Sequence, residues 1–235
     1  MSVHLDNEIL LLKKKILHLS AIVENSVIKA VKSVTENDVE LAKQVIEEDN
    51  IIDQMEIELE EECLKIIALH QPVAHDLRYV VACLKINNDL ERIGDLAVNI
   101  AERTKKIAED ENRELPFDFT EMMEKTQIML DQCLSAFIEN DVFLANQVSL
   151  MDDEIDQMNR DIYNKVKRMI KKKSKKTSYY LHLLGVSRQL ERIGDYATNI
   201  AEDVIYMIEG RIVRHTNDHP TPHTEINISE LDADR

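Results

Sequence analysis

The sequence predicts an all-α protein made of two pseudo-symmetric three-helix bundles, with six long antiparallel helices arising from an internal duplication. Turn-forming residues are scarce, since the 235 residues include only 4 Gly and 4 Pro. Apolar residues recur every three or four positions over long stretches, which is typical of amphipathic helices. A thirteen-residue block at 90–102 returns at 190–202, and the copies differ only at Leu96/Tyr196 and Val98/Thr198. A near-identical block in each half indicates a duplicated structural unit.

The first half of the chain contains the pattern of three helices. Apolar residues at helical spacing predict the first helix over 5–36. Asn37 or Asp38 is a suitable cap for a second helix that runs over about 39–70. Pro72 suits the first turn of a third helix, which continues to about residue 108.

The second half repeats this order. The segment 36–39 recurs at 139–142, offset by 103 residues, whereas the block at 90–102 recurs with an offset of 100. Three residues have therefore been lost near the hairpin between the second and third helices of the later unit. The remaining helices are predicted at about 118–139, 141–173 and 177–209.

The domain boundaries follow from composition. Gly210 is a natural helix stop, and the stretch around Pro116 is polar. The predicted parts are a first unit (1–109), a linker (110–120), a second unit (121–210) and a disordered tail (211–235). Three histidines in the tail are spaced by four residues, but Pro220 and Pro222 prevent a helix that would align them.

Charge and cysteine content narrow the class of protein. The chain carries 45 Asp+Glu against 29 Lys+Arg, a net charge of −16, which argues against nucleic-acid binding. The first residues lack the basic-then-apolar order of a signal peptide, and no stretch predicts insertion into a membrane. The 3 Cys include no CxxC motif, and their odd number does not suit a framework of disulfide bonds. We therefore expect a cytoplasmic protein without disulfides.

Acidic side chains form a stripe on the third helix of each unit. At about 100° per residue, Glu91, Asp95 and Glu102 fall within about 40°, with Asn99 at the edge. On the second helix, the acidic residues within about 60° of one another are Asp49, Asp53, Glu56 and Glu60. The candidate metal ligands are Asp49, Asp53, Glu91, Asp95, Asn99 and Glu102 in the first unit, and Asp152, Asp156, Glu191, Asp195, Asn199 and Glu202 in the second.

Like charges one turn apart destabilise a helix unless a cation neutralises them. Oxygen ligands favour hard ions, so we expect a divalent or trivalent metal cofactor: iron, zinc, manganese, magnesium or calcium. The alternative is that the stripes are simply solvated helix faces. Gly94 and Gly194 cost helix stability, and we expect them to allow close approach of a neighbouring helix.

Catalytic signatures are missing from the sequence. It has no HExxH motif, no glycine-rich phosphate loop, and no Glu-x-x-His pair of the di-iron type. We therefore expect a protein that is not an enzyme. The alternatives are a metal-dependent hydrolase or oxidoreductase that uses the surface carboxylates, and a purely structural helical repeat. Lysines at 171–176 suit the end of a helix, and a docking patch for an acidic partner is the other interpretation.

The duplicated LERIGDxAxNIAE block, the DxxxD pairs on the preceding helices and QPVAxDLR at 71–78 resemble the PhoU family of phosphate transport regulators. The resemblance implies two three-helix bundles, multinuclear metal sites on the bundle surfaces and frequent homodimers. It also implies negative regulation of phosphate uptake and of the phosphate-starvation response. The implied partners are the ATPase subunit of the phosphate transporter and a sensor histidine kinase. Lys175 to Ser178 and the tail depart from the family pattern.

Overall fold

The computed structural model describes residues 3–110, 115–172 and 174–213, and these residues form helices joined by short connections. The helices are α1 (Val3–Thr35), α2 (Val39–His70), α3 (Ala74–Ala108), α4 (Thr120–Glu139), α5 (Val142–Lys172) and α6 (Thr177–Glu209), with a short 3-10 turn (Ser174–Lys176) before α6. The predicted all-α class and the six-helix order are confirmed. None of the helices described is both long and apolar enough to cross a membrane.

Matching caps begin the second helix of each unit. Asp38 and Asp141 each accept a hydrogen bond from the backbone N–H three residues ahead, at 3.0 Å and 3.1 Å. The preceding residues, Asn37 and Asn140, have φ of 54° and 53°. Asn tolerates this left-handed conformation better than most residues. The duplication predicted from sequence is therefore present in the backbone geometry of both turns.

The hairpin between α2 and α3 differs from the prediction. Gln71 ends α2 in the left-handed conformation, with φ of 46°. Pro72 lies ahead of α3, which begins at Ala74, so its predicted place in the first turn of that helix is wrong. Ala74 itself has φ of 47°, and two closely spaced residues of positive φ reverse the chain direction before a regular helix forms.

The connection between α3 and α4 is anchored in the core, although the sequence predicted a polar linker. Phe117 is 7% exposed and Phe119 is fully buried. Their rings pack edge to face, with centroids 5.4 Å apart. Burial of two aromatic rings holds the start of α4 against the bundle. Residues 111–114 and 214–235, which include most of the predicted tail, lie outside the described residues.

α3 and α6 form the centre of the molecule and pack against each other along their length. They are antiparallel, because Arg103 lies against Gly185 whereas Lys85 binds Asp203. α1 and α2 cover α3, and α4 and α5 cover α6, with a smaller contact between α1 and α4. The apolar sides of the duplicated blocks are fully buried in this core. Gly210 ends α6 with φ of 70°, as predicted.

Candidate metal centres

The first carboxylate cluster lies between α2 and α3. Burial, followed by repulsion from Asp53 and Asp95, raises the pKa of Asp49 from 3.8 to about 6. Burial and then the charges of Asp95, Asp53 and Glu56 raise the pKa of Glu91. Each of these groups therefore lies in the negative field of the others. Glu56 also belongs to this cluster. The sequence placed it on the same helix face as Asp49, seven residues later, but it was not among the predicted ligands.

The second cluster lies between α5 and α6 and contains the four corresponding carboxylates, but Asn159 stands where the first cluster has Glu56. Burial raises the pKa of Asp152 from 3.8 to about 6, with further contributions from Asp195 and Asp156. The pKa values of Glu191 and Asp195 are also raised, first by burial and then by acidic neighbours, chiefly Asp195 and Asp156 respectively. The structure thus brings together the two predicted carboxylate pairs of each unit.

Glycine on the facing helix makes room for each cluster. A Cβ atom added at Gly94 would lie only 3.1 Å from Cδ1 of Ile52 on α2. The same atom at Gly194 would lie 3.5 Å from Cδ1 of Ile155 on α5. The close helix approach expected for these glycines is confirmed at Gly94, and the second unit is packed slightly less tightly.

Arginine side chains of the protein partly neutralise both clusters. Arg92 contacts Glu91 at 3.4 Å and Asp95 at 3.3 Å. In the second unit, Arg160 donates to Asp156 at 3.0 Å. These guanidinium groups are more than half exposed, so water screens the ion pairs and each contributes little to stability.

Glu102 and Glu202 are placed differently from the other predicted ligands. Asn99 and Glu102 line a groove between the end of α3 and the beginning of α6, and Glu202 lines a groove beside Lys85. Glu102 shares the side of Glu91 but lies eleven residues further on, about 16 Å along the helix axis. Neither glutamate is among the charges that raise the pKa of the clustered carboxylates. Asn199 is half-buried, one turn beyond Asp195.

The donor chemistry of both clusters fits a hard cation. All their potential ligand atoms are carboxylate oxygens. Burial, and then repulsion from neighbouring carboxylates, raises the pKa of Asp49 and of Asp152, and a bound cation would favour the ionised form of both groups. Among the described residues, no group of three carboxylate, histidine or cysteine side chains is close enough together to hold a metal ion in the present side-chain positions. Metal binding would therefore require rotation of these side chains, including release of Glu91 and Asp95 from Arg92.

Comparison with known proteins agrees with the duplicated architecture. A family model described as the PhoU domain matches residues 16–104 and again residues 119–204. The chain belongs to the PhoU family. A PhoU homologue of Thermotoga maritima, named a phosphate-specific transport system accessory protein, is 36% identical over 210 residues, covering 89% of this chain and 90% of the relative.

Solved PhoU structures have the same fold. The crystal structure of PhoU from Pseudomonas aeruginosa superposes with a TM-score of 0.83 at 35% identity, covering 88% of this chain and 99% of the other. The phosphate transport system regulatory protein PhoU from Streptococcus pneumoniae gives a TM-score of 0.80 at 28% identity, covering 89% and 99%. The resemblance noted in the sequence motifs and the two-bundle fold are thereby confirmed.

Proposed function

We propose that the chain is a regulatory accessory protein of a phosphate transport system, which restrains phosphate uptake and the phosphate-starvation response. The observation that carries this proposal is the match of both halves to the PhoU domain. Relatives that are similar over most of their length are named as accessory proteins of phosphate-specific transport. The described fold is a packed helical body whose charged clusters lie on its surface, which suits a protein that acts by contact with others.

The two carboxylate clusters are proposed to hold divalent or trivalent metal ions. Asp49 and Asp152 are about half-buried, and burial disfavours their charged forms. A bound cation would offset this cost of desolvation. The oxygen donors are compatible with iron, manganese, magnesium or calcium, and zinc also accepts carboxylate ligands. Each metal would bridge two helices of its unit and would thereby stabilise their packing.

Contacts with the ATPase subunit of the transporter and with a sensor histidine kinase are proposed as the means of regulation, in a cytoplasmic homodimer. The end of α2 and the hairpin that follows expose Leu69 and Val73, which are 67% and 73% accessible. Exposed apolar side chains at a rigid turn are suitable anchors for a protein partner. Lys171 and Lys172 at the end of α5 supply a basic surface at the matching turn of the second unit.

Regulation is favoured over hydrolase or oxidoreductase chemistry by the residues at the clusters. The groups found to interact there are carboxylates and arginines. A metal-dependent hydrolase would be expected to place a general base or a nucleophile beside its metal. We therefore expect no turnover of phosphate esters by the metal-loaded protein.

The decisive experiment is gene deletion followed by complementation. Deletion should activate phosphate-starvation genes in phosphate-rich medium, and the wild-type gene should restore repression. Unchanged expression after deletion would overturn the regulatory proposal. A variant with both clusters neutralised (Glu91→Gln, Asp95→Asn, Glu191→Gln, Asp195→Asn) should fail to restore repression at normal protein abundance.

Glu102→Gln/Glu202→Gln is the matched control, because it removes acids of the same helices that lie outside the clusters. This control should restore repression as the wild type does. If the variant with both clusters neutralised restored full repression, the clusters would not be needed for regulation. Elemental analysis of untagged protein purified without chelator would identify the bound ion.

A further inference from the structure

The duplication places two equivalent grooves beside the central helix pair, and their charges differ. In the groove near Lys85, the Lys85 ammonium binds the buried carboxylate of Asp203 at 3.0 Å and lies 5.2 Å from the ring centroid of Tyr206. The offset of 100 residues relates Lys85 to Gly185 and Asp203 to Arg103. In the second groove, therefore, a guanidinium replaces the acid and a glycine replaces the cation.

Arg103 is held in this second groove by the shape of α6. A Cβ atom built at Gly185 would lie 2.2 Å from Cζ and from Nη1 of Arg103, so the guanidinium occupies space that any other residue at position 185 would fill. The Nε atom of Arg103 is buried and has no hydrogen-bond partner among the described residues. A buried donor of a charged group that lacks an acceptor is costly, and such positions usually have an acceptor supplied from elsewhere.

The residues around Arg103 make the groove positive. Basic side chains from two helices line it, and its acids are Glu102 and Glu109. The basic residues are Arg103, Lys105, Lys106 and His182. Glu109 pairs with Lys106 at 3.2 Å, but both side chains are more than half exposed, so that pair contributes little. Burial and then the charges of Arg103 and Lys106 lower the pKa of His182, as expected in a positive field.

We propose that this groove binds a small phosphate-bearing anion. The planar fork of a guanidinium donates two parallel hydrogen bonds to phosphate oxygens, and the neighbouring lysines favour a dianion over a monocarboxylate. The cavity is about 500 Å³, which accommodates inorganic phosphate or the phosphate end of a nucleotide. With a net charge of −16, the chain would repel a long polyanion such as nucleic acid. The proposal is independent of the regulatory role.

Isothermal titration calorimetry on metal-free, full-length protein tests the site, with inorganic phosphate and ATP as separate probes. At least one probe should bind, and Arg103→Gln should weaken its binding at least tenfold. Binding of phosphate alone would indicate a free-phosphate site, and binding of ATP alone would indicate a phosphate-ester site. Arg103→Lys should give an intermediate affinity, because the charge remains but the fork is lost.

Lys165→Gln, an exposed substitution on α5 with the same change in net charge, should bind the probe as the wild type does. The His182 imidazole provides a second readout, because a bound anion should raise its pKa, measured by NMR titration. The proposal is overturned if neither probe binds, if folded Arg103→Gln binds as tightly as wild type, or if the His182 titration is unchanged. Because metal-free protein is used, such a failure would leave the regulatory proposal intact.

Discussion

The Oδ1 atom of Asp49 lies over Gly94 of the facing helix, 3.2 Å from the position that a Cβ atom at residue 94 would occupy. In the second unit, the corresponding distance from Oδ1 of Asp152 to a Cβ at Gly194 is 3.5 Å. The same glycine thus lies beneath the same carboxylate in both units, with a few tenths of an ångström more room in the second.

This difference predicts that alanine stabilises the protein at position 194 but not at position 94. Alanine favours a helix by about 1 kcal/mol over glycine. Gly194→Ala makes contacts of ordinary van der Waals length, at 3.5 to 3.7 Å, and should stabilise the protein by up to about 1 kcal/mol. At Gly94 the new methyl would meet Ile52 and Asp49 at 3.1 to 3.2 Å, so their displacement should cancel the gain. Urea unfolding measures the change in the free energy of unfolding of each variant. Equal stabilisation by the two variants would show that the tighter packing at Gly94 does not matter.

Divalent metal should raise the melting temperature of the protein. A ligand that binds only the folded state stabilises it by roughly 2.7 kcal/mol at one hundred times its Kd. Glu91→Gln/Asp95→Asn should remove much of the rise due to the first cluster, while the metal-free variant stays at least as stable as wild type because repulsion is relieved. Scanning calorimetry with and without metal measures the effect.

The second unit should respond separately through Glu191 and Asp195. Helical content should stay constant in all of these variants, because the apolar sides of α3 and α6 are untouched. A metal-induced rise that persists after both pairs are neutralised would show that the clusters are not the metal sites, and that they are solvated helix faces.

The metal-free protein should lose stability as pH rises from about 4 to above 6. The folded-state pKa of Asp49 and of Asp152 is about 6, against 3.8 for the ordinary carboxyl. In this interval the folded state binds more protons than the unfolded state, so the free energy of unfolding falls with increasing pH. The stabilisation that the protonated carboxyl groups of Asp49 and Asp152 give the folded state is complete below about pH 4, and it is lost once both groups ionise. Asp49→Asn/Asp152→Asn should flatten the profile measured by urea unfolding, and an unchanged slope would refute this assignment.

Arg92 should compete with metal at the first cluster. Its guanidinium contacts both Glu91 and Asp95, which a bound ion would need to recruit. Arg92→Gln should therefore tighten metal binding at this cluster several-fold and slightly destabilise the metal-free protein. Arg160→Gln should act in the same way on the second cluster alone. Weaker metal binding by Arg92→Gln, measured by calorimetry, would instead assign the arginine a supporting role in the metal-bound state.

Local signals explain how much of this molecule could be predicted from its sequence. Helical periodicity, the cap at Asn37 or Asp38 and the duplicated block act over a few residues, and they predicted six helices to within a few positions. The pairing of α2 with α3 followed from a short hairpin. The sequence placed Glu102 on the side of Glu91 but not its distance from the cluster, because a helical projection reports angle and omits the rise along the axis.

Long-range packing could not be deduced from these local signals. The antiparallel register of α3 on α6 depends on side-chain fit across the whole core, and no periodicity encodes it. That register places the Arg103 side chain against Gly185, although the two residues are 82 positions apart in the chain. Phe117 and Phe119 lay in a stretch with turn-forming composition, where burial of aromatic rings outweighed the local preference.

The antiparallel pairing of α3 with α6 has an evolutionary consequence. Two identical three-helix chains associating through this helix would form a dimer with twofold symmetry, in which both grooves must carry the same side chains. Joining the two copies in one polypeptide removes that constraint, since each groove is then encoded by its own codons. The Lys85–Asp203 pair on one side and the Arg103–Gly185 pair on the other are an asymmetry that a homodimer of one such unit could not have. One groove can thereby hold an internal ion pair while the other holds a different set of side chains.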